Sequence, residues 1–167
     1  MKAAASVILG YVASIAIATV AVWLRAFLFP LPPAEASGGM AAFGDFLLFV
    51  GVFSLSAIVP TALLLRILQG SPAFWIVWSS VAVFLTATGL VAGAAYLAPS
   101  LMGSQQFPMI HMLAPLRVLG TVPLVIGFIL SALLAPQRGT KKIFLGCIGV
   151  EFVTFTAALL KLVLSRA

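Results

Sequence analysis

The chain has 167 residues, of which 63% are hydrophobic and 7% are charged, and its mean hydropathy is +1.27. A water-soluble domain carries about a quarter charged residues, so nine Lys plus Arg and three Asp plus Glu cannot cover a surface that faces water. This composition excludes an ordinary soluble enzyme, a disordered chain and a disulfide scaffold. The basic residues form no run that could follow a phosphate backbone, so no nucleic acid partner is expected. The sequence therefore predicts that a lipid bilayer surrounds most of the chain.

Five stretches are long and apolar enough to cross about 30 Å of hydrocarbon, which takes about 20 residues. They cover about residues 4–29, 46–67, 74–97, 118–135 and 143–164, and the fourth is the shortest. The predicted fold is all-α: a polytopic transmembrane helical bundle of five spans with short loops, forming a single integral membrane domain over residues 1–167. Pro60 and Pro123 fall inside the second and fourth stretches, where a missing backbone donor favours a kink.

The first stretch also has features of a secretory signal. Lys2 precedes it, and Ala34-Glu35-Ala36 after it resembles a cleavage site. A signal core is about 7–15 residues long, whereas this apolar run is much longer and contains Arg25. We therefore predict a retained span; cleavage would leave four spans.

The orientation of the spans follows from the Lys and Arg residues near their ends, which accumulate on the cytoplasmic side. An amino terminus inside places five cations in the cytoplasm: Lys2, Arg66, Arg138, Lys141 and Lys142. Four cations then lie toward the outside: Arg25, Arg117, Lys161 and Arg166. The cluster from Arg138 to Lys142 is the strongest cue, and it predicts a cytoplasmic amino terminus and a carboxy terminus outside. Short loops and the lone Lys2 suggest a bacterial inner membrane.

Glu151 is the most informative polar residue, because it falls about 13 Å into the fifth stretch, close to mid-bilayer. An ionised acid at that depth faces the bundle interior or a cavity in most membrane proteins. Cys147, Thr154 and Ala158 share its helix face, four residues before and three and seven after. Two interpretations stay open: a proton or cation site, or an acid that only bonds a neighbouring helix.

Arg117 and Arg25 are expected near the outer interface. Each either extends to the lipid head groups or pairs with Asp45 or Glu35 to close the outer face. Half a bilayer separates the expected levels of Arg117 and Glu151, so the sequence does not predict that these two residues pair.

The predicted outer loop holds His111 close to three methionines: Met102, Met109 and Met112. Thioether and imidazole ligands suit Cu(I), but the spacing is no recognised metal signature. A segment lying in the head groups explains the same residues. We therefore predict no metal site and no cofactor, and we group His111 with Arg117 and Asp45 as a candidate outer-face site.

Gly89 and Gly93 form a GxxxG pattern in the third stretch, which lets another helix approach closely. That helix belongs either to this chain or to another copy. The sequence contains no HExxH zinc motif, no Gly-rich phosphate loop and no GxSxG elbow, and it provides no recognisable catalytic machinery.

The scarcity of reactive groups and the small-residue helix faces favour a non-catalytic interaction subunit or assembly factor of a membrane complex. Its expected partners are the bilayer and either another protein or a second copy. The alternative is an oligomeric transporter or channel, coupled to protons or cations, that uses Glu151. A third, weaker hypothesis is a membrane enzyme or metal-handling protein that uses His111 and Arg117.

Overall fold

The computed structural model describes residues 2–30, 38–97, 117 and 120–164. Every regular element in those ranges is helical: α1 (Lys2–Leu28), α2 (Gly38–Ser56), α3 (Ile58–Ile67), the 3-10 turn η1 (Leu68–Gly70), α4 (Pro72–Leu97), α5 (Thr121–Leu134) and α6 (Arg138–Leu164). The contacts divide the chain into a first unit, Met1–Ile67, and a second unit, Leu68–Ala167. That the chain forms one domain stays a prediction.

Three of the described helices are long and apolar enough to cross a membrane: Ala3–Leu28, Pro72–Ala95 and Arg138–Lys161. The pair Ala41–Ser56 and Ile58–Gly70, bent by 46° at its break, makes a fourth if it forms one span. α5 is apolar but has only 14 residues, which cover about 21 Å. The all-helical, membrane-type prediction is confirmed with three to four candidate spans, whereas the predicted number of five is not.

In the first unit, α1 runs antiparallel to α2 and α3. Arg25, near the end of α1, pairs with Asp45 in α2, and Gly10, earlier in α1, lies against Pro60 in α3. A step of fifteen residues forward along α1, from Gly10 to Arg25, moves the contact fifteen residues back, from Pro60 to Asp45. α2 and α3 therefore follow α1 together in one register, despite the bend between them.

Pro60 explains the bend between α2 and α3. Because proline has no backbone N–H, the carbonyl of Ser56 loses its usual helical partner four residues later, and the helix breaks at Ala57. Pro60 is buried, and a Cβ atom built on Gly10 would come within 2.8 Å of the Pro60 Cβ. The kink that the sequence favours in the second stretch is therefore present, and the missing side chain of Gly10 accommodates it.

In the second unit, α4 and α6 run parallel. Gly89 lies against Glu151 and, four residues further along α4, Gly93 lies against Thr154. Both contacts advance in the same direction along the two helices. This places the GxxxG face of α4 against α6 of the same chain, which answers the question that the sequence left open.

α5 runs antiparallel to α6. Phe128 packs against Phe144 with ring centroids 6.1 Å apart, and Thr121 at the beginning of α5 reaches Glu151. α5 therefore extends along only the first half of α6, from its beginning to the level of Glu151. Pro123 lies in the first turn of α5, where N–H groups have no partner in their own helix; residues 118 and 119 lie outside the described residues, so the kink expected in the fourth stretch stays a prediction.

Aromatic side chains fill the core of the second unit near the beginning of α4 and α6. Trp75, Phe128 and Phe144 are fully buried, and the Trp75 and Phe144 rings meet edge to face at 6.3 Å. The Trp78 indole N–H donates to the Ser131 hydroxyl at 2.8 Å and so ties α4 to α5. This apolar packing holds α4, α5 and α6 together. The polar residues described below lie beyond it on the same three helices.

Candidate functional site

A buried ion pair lies between the three helices of the second unit. The side chain of Glu151 is 1% exposed and that of Arg117 is 16% exposed. Nη2 of Arg117 lies 2.5 Å from Oε1 of Glu151, and Nη1 lies 3.4 Å from Oε2. The guanidinium and the carboxylate thus meet fork to fork, the geometry in which Arg recognises a carboxylate most specifically.

The guanidinium also binds α4. Nη2 of Arg117 donates to the Leu85 carbonyl at 2.7 Å, and Nε donates to the Thr88 hydroxyl at 3.3 Å. The Thr88 hydroxyl in turn donates to the same Leu85 carbonyl at 2.6 Å. Arg117 therefore joins a side chain of α6 to backbone and side-chain acceptors of α4.

Gly89 makes room for this ion pair on the surface of α4. A Cβ atom built on Gly89 would lie 2.8 Å from Nη2 of Arg117 and 3.0 Å from Oε1 of Glu151. Contacts that short force a neighbour to move, and both neighbours are held by charge-assisted hydrogen bonds. Gly89 thus serves both the close approach of α6 and the seating of the charged groups.

Two features of α5 add to the stabilisation of the Glu151 carboxylate. The Thr121 hydroxyl donates to Oε2 at 3.3 Å and is itself buried. Thr121 is also the first residue of α5, whose N-cap is Gly120, and the amino-terminal end of a helix carries a partial positive charge. Both carboxylate oxygens therefore have partners, as an acid in apolar surroundings requires.

The pairing of Arg117 with Glu151 corrects the sequence prediction, which placed Arg117 near the outer interface. Arg117 binds Glu151, which stands in the middle of α6, because α5 begins at that level. The length of the fourth apolar stretch gave no signal for this pairing, since its 18 residues cover about 27 Å and so nearly cross the hydrocarbon. Leu85, Thr88 and Thr121 also belong to the site, and no sequence pattern marked them.

The other residues predicted near Glu151 lie on its buried face. Cys147, one turn earlier, is a buried free thiol, and Ala158 is buried two turns later. Thr154 donates its hydroxyl to the carbonyl of Val150 at 2.8 Å and turns its methyl group toward Gly93. Thr154 therefore contributes close packing to the α4–α6 contact.

Two of the three residues predicted as an outer-face group, His111, Arg117 and Asp45, have other partners in the structure. Arg117 belongs to the ion pair with Glu151, and Asp45 pairs with Arg25 in the first unit, where Arg25 Nη1 lies 3.1 Å from Oδ1. His111 lies outside the described residues, as do Glu35 and the methionines of that loop. Within the ranges that the structure describes, no three His, Cys, Asp or Glu side chains converge as a metal site would need.

The arrangement holds helices together and also limits what Glu151 can bind. Arg117 contacts both oxygens of this carboxylate and Thr121 contacts one of them, so three of its about four acceptor sites are taken and a cation that uses both oxygens would have to displace the guanidinium. Such a displacement would leave a buried cation without its partner, which is costly in hydrocarbon.

No protein-family model matches the chain, and no curated protein or solved structure matches it.

Proposed function

We propose that this chain is a small integral membrane protein that crosses a bacterial inner membrane five times and acts as a non-catalytic subunit or assembly factor of a membrane complex. The observation that carries the proposal is the pairing of Glu151 with Arg117. The charge of this buried acid is used inside the chain, where it fastens α4, α5 and α6 to one another. An acid engaged in this way supports a structural role better than a transport site.

The packing of the second unit supports five crossings. α4 and α6 run parallel to each other. α5, which lies between them in the sequence, runs in the opposite direction, as three consecutive spans require. α5 covers the half of the crossing up to the level of Glu151. The common register of α1 with α2 and α3 supports two further crossings, with the bent pair as one span.

The exposed face of α6 supports the interaction role. Gly146 and Gly149 lie on it, and a Cβ atom built on either would meet no described atom within 4 Å. Small residues on a helix face let another transmembrane helix approach closely. This face is opposite to the one that carries Glu151, so a partner helix could dock without disturbing the ion pair.

The experiment is to measure the mass of the tagged chain, extracted with mild detergent from its own membrane, by native electrophoresis. We expect a complex larger than any assembly that the purified chain forms alone, and its loss in Gly146→Leu. Phe152→Leu, at another exposed position of α6, is the matched control and should keep the complex. If the chain from its own membrane migrates like the purified chain, the subunit role is wrong.

A carrier coupled to protons or cations is the second candidate, favoured by a carboxylate that is fully buried halfway along an apolar helix. In that mechanism the ion would displace Arg117 from Glu151. Vesicles that contain the purified chain and a pH-sensitive dye test it, with Glu151→Gln as the variant and Asp45→Asn as the control. A proton flux that Asp45→Asn keeps and Glu151→Gln abolishes would replace the first candidate by the second.

A further inference from the structure

A groove of about 570 Å³ runs between α1 and α2 in the first unit. Trp23, Phe46 and Phe49 line it with apolar rings, and Ala42 leaves space on the α2 side. Asp45 is the one charged residue among its lining side chains. The groove is open to the surroundings rather than enclosed, and its walls are almost entirely apolar.

Arg25 does not line the groove, but it lies next to Asp45 and so places a second charge beside it. Arg25 Nη1 is 3.1 Å from Asp45 Oδ1, and the two side chains are 32% and 30% exposed. That oxygen is buried and makes no hydrogen bond to any described residue, so the exposed part of the carboxylate, where a ligand can bind, lies at its other oxygen, Oδ2. A guanidinium has five N–H donors and a carboxylate about four acceptor sites, so one contact between them leaves both able to bind a further ligand.

The level of these charges matches a lipid head group. Arg25 lies three residues before the end of α1, where a span leaves the hydrocarbon. From there the groove extends inward along α1 toward Thr19 and along α2 toward Phe49. Seven residues of helix, from Ala26 to Thr19, span about 10 Å, so a bound chain would run from the interface into the apolar region.

We propose that this groove binds one zwitterionic aminophospholipid, with its amine at Asp45, its phosphate at Arg25 and an acyl chain along the aromatic rings. Each charge of the head group meets the opposite charge of the protein. A glycerol head group offers Asp45 no cation, and a choline head group offers no N–H to donate. The inference depends on the membrane placement proposed above but not on the subunit role.

The experiment reconstitutes the full chain in vesicles of equal parts phosphatidylethanolamine, phosphatidylcholine and phosphatidylglycerol. After mild solubilisation, native mass spectrometry counts the lipids that stay bound. We expect phosphatidylethanolamine to be retained about tenfold over the other two, the factor that one charged hydrogen bond gives. Asp45→Asn should remove this preference, whereas Arg66→Gln, which neutralises an exposed cation at the other end of the unit, should keep it.

A second variant covers the case that Asp45→Asn fails to fold. Ala42→Trp fills the groove and leaves both charges in place, and it should release all three lipids. Retention of the three lipids in equal amounts by the unchanged chain would overturn the proposal, as would full retention of phosphatidylethanolamine by Ala42→Trp. Either result would refute lipid binding in the groove. If the chain still inserts into vesicles normally, the proposed membrane placement is not affected, so the two proposals can fail separately.

Discussion

At the scale of single residues, the ion pair between Arg117 and Glu151 sets the largest expected effects. Glu151→Gln leaves the buried guanidinium without its counter-charge, and we expect it to lower the free energy of unfolding by about 3–5 kcal/mol. Arg117→Gln should cost a similar amount for the same reason. The double variant should cost clearly less than the sum of the two, because neither charge is then left alone.

Unfolding in mixed micelles with increasing denaturing detergent, followed by circular dichroism, measures these three free energies. Asp45→Asn provides the control, because its pair with Arg25 is about one third exposed and exposed pairs contribute at most about 1 kcal/mol. Additive costs of Glu151→Gln and Arg117→Gln would contradict the interaction between them.

Gly89 gives a second prediction at this scale. Gly89→Ala places a methyl group 2.8 Å from the guanidinium, and we expect the strain to cost about 1–3 kcal/mol. Gly146→Ala is the matched change in open space on α6, where the higher helix propensity of alanine should stabilise by up to about 1 kcal/mol. The same unfolding assay distinguishes them, and equal effects would show that Gly89 is not needed to seat the ion pair.

At the scale of the helices, the sequence predicts some elements well and others poorly. The three long apolar helices were predicted to within a few residues at most ends, because hydropathy alone determines them. The fourth stretch was predicted at the right place in the chain, but the contact of its beginning with the middle of α6 was not predicted. Depth depends on which residues of α4 and α6 it meets, and those contacts are set by packing that one sequence does not reveal.

The depth of α5 is testable by itself. Spin labels at Val122 in α5 and Phe152 in α6, both exposed, should report the same depth in nanodiscs, because Thr121 meets Glu151. A label at Ile143, nearer the beginning of α6, should lie closer to the interface. Oxygen and nickel accessibilities measure the depths after Cys147→Ala removes the native thiol. A shallow Val122 would restore the outer position that the sequence predicted for this end.

At the scale of the whole molecule, the position of Arg117 changes the charge balance that orients the chain. Since its guanidinium lies beside Glu151, Arg117 no longer counts among the cations near a membrane surface. Three then remain toward the outside against five toward the cytoplasm, so the bias that predicts a cytoplasmic amino terminus is larger than the sequence indicated.

This bias makes the orientation depend on the cluster at the beginning of α6. A carboxy-terminal alkaline phosphatase fusion should be active outside, and a fluorescent protein that folds only in the cytoplasm should stay dark at the same position. Replacing Arg138, Lys141 and Lys142 by Gln leaves Lys2 and Arg66 against three outer cations, and we expect both reporters to become partly active. Arg117→Gln should leave the orientation unchanged, because a charge paired in the middle of the helices does not take part in the choice. A phosphatase fusion that is silent in the unchanged chain would contradict the five crossings.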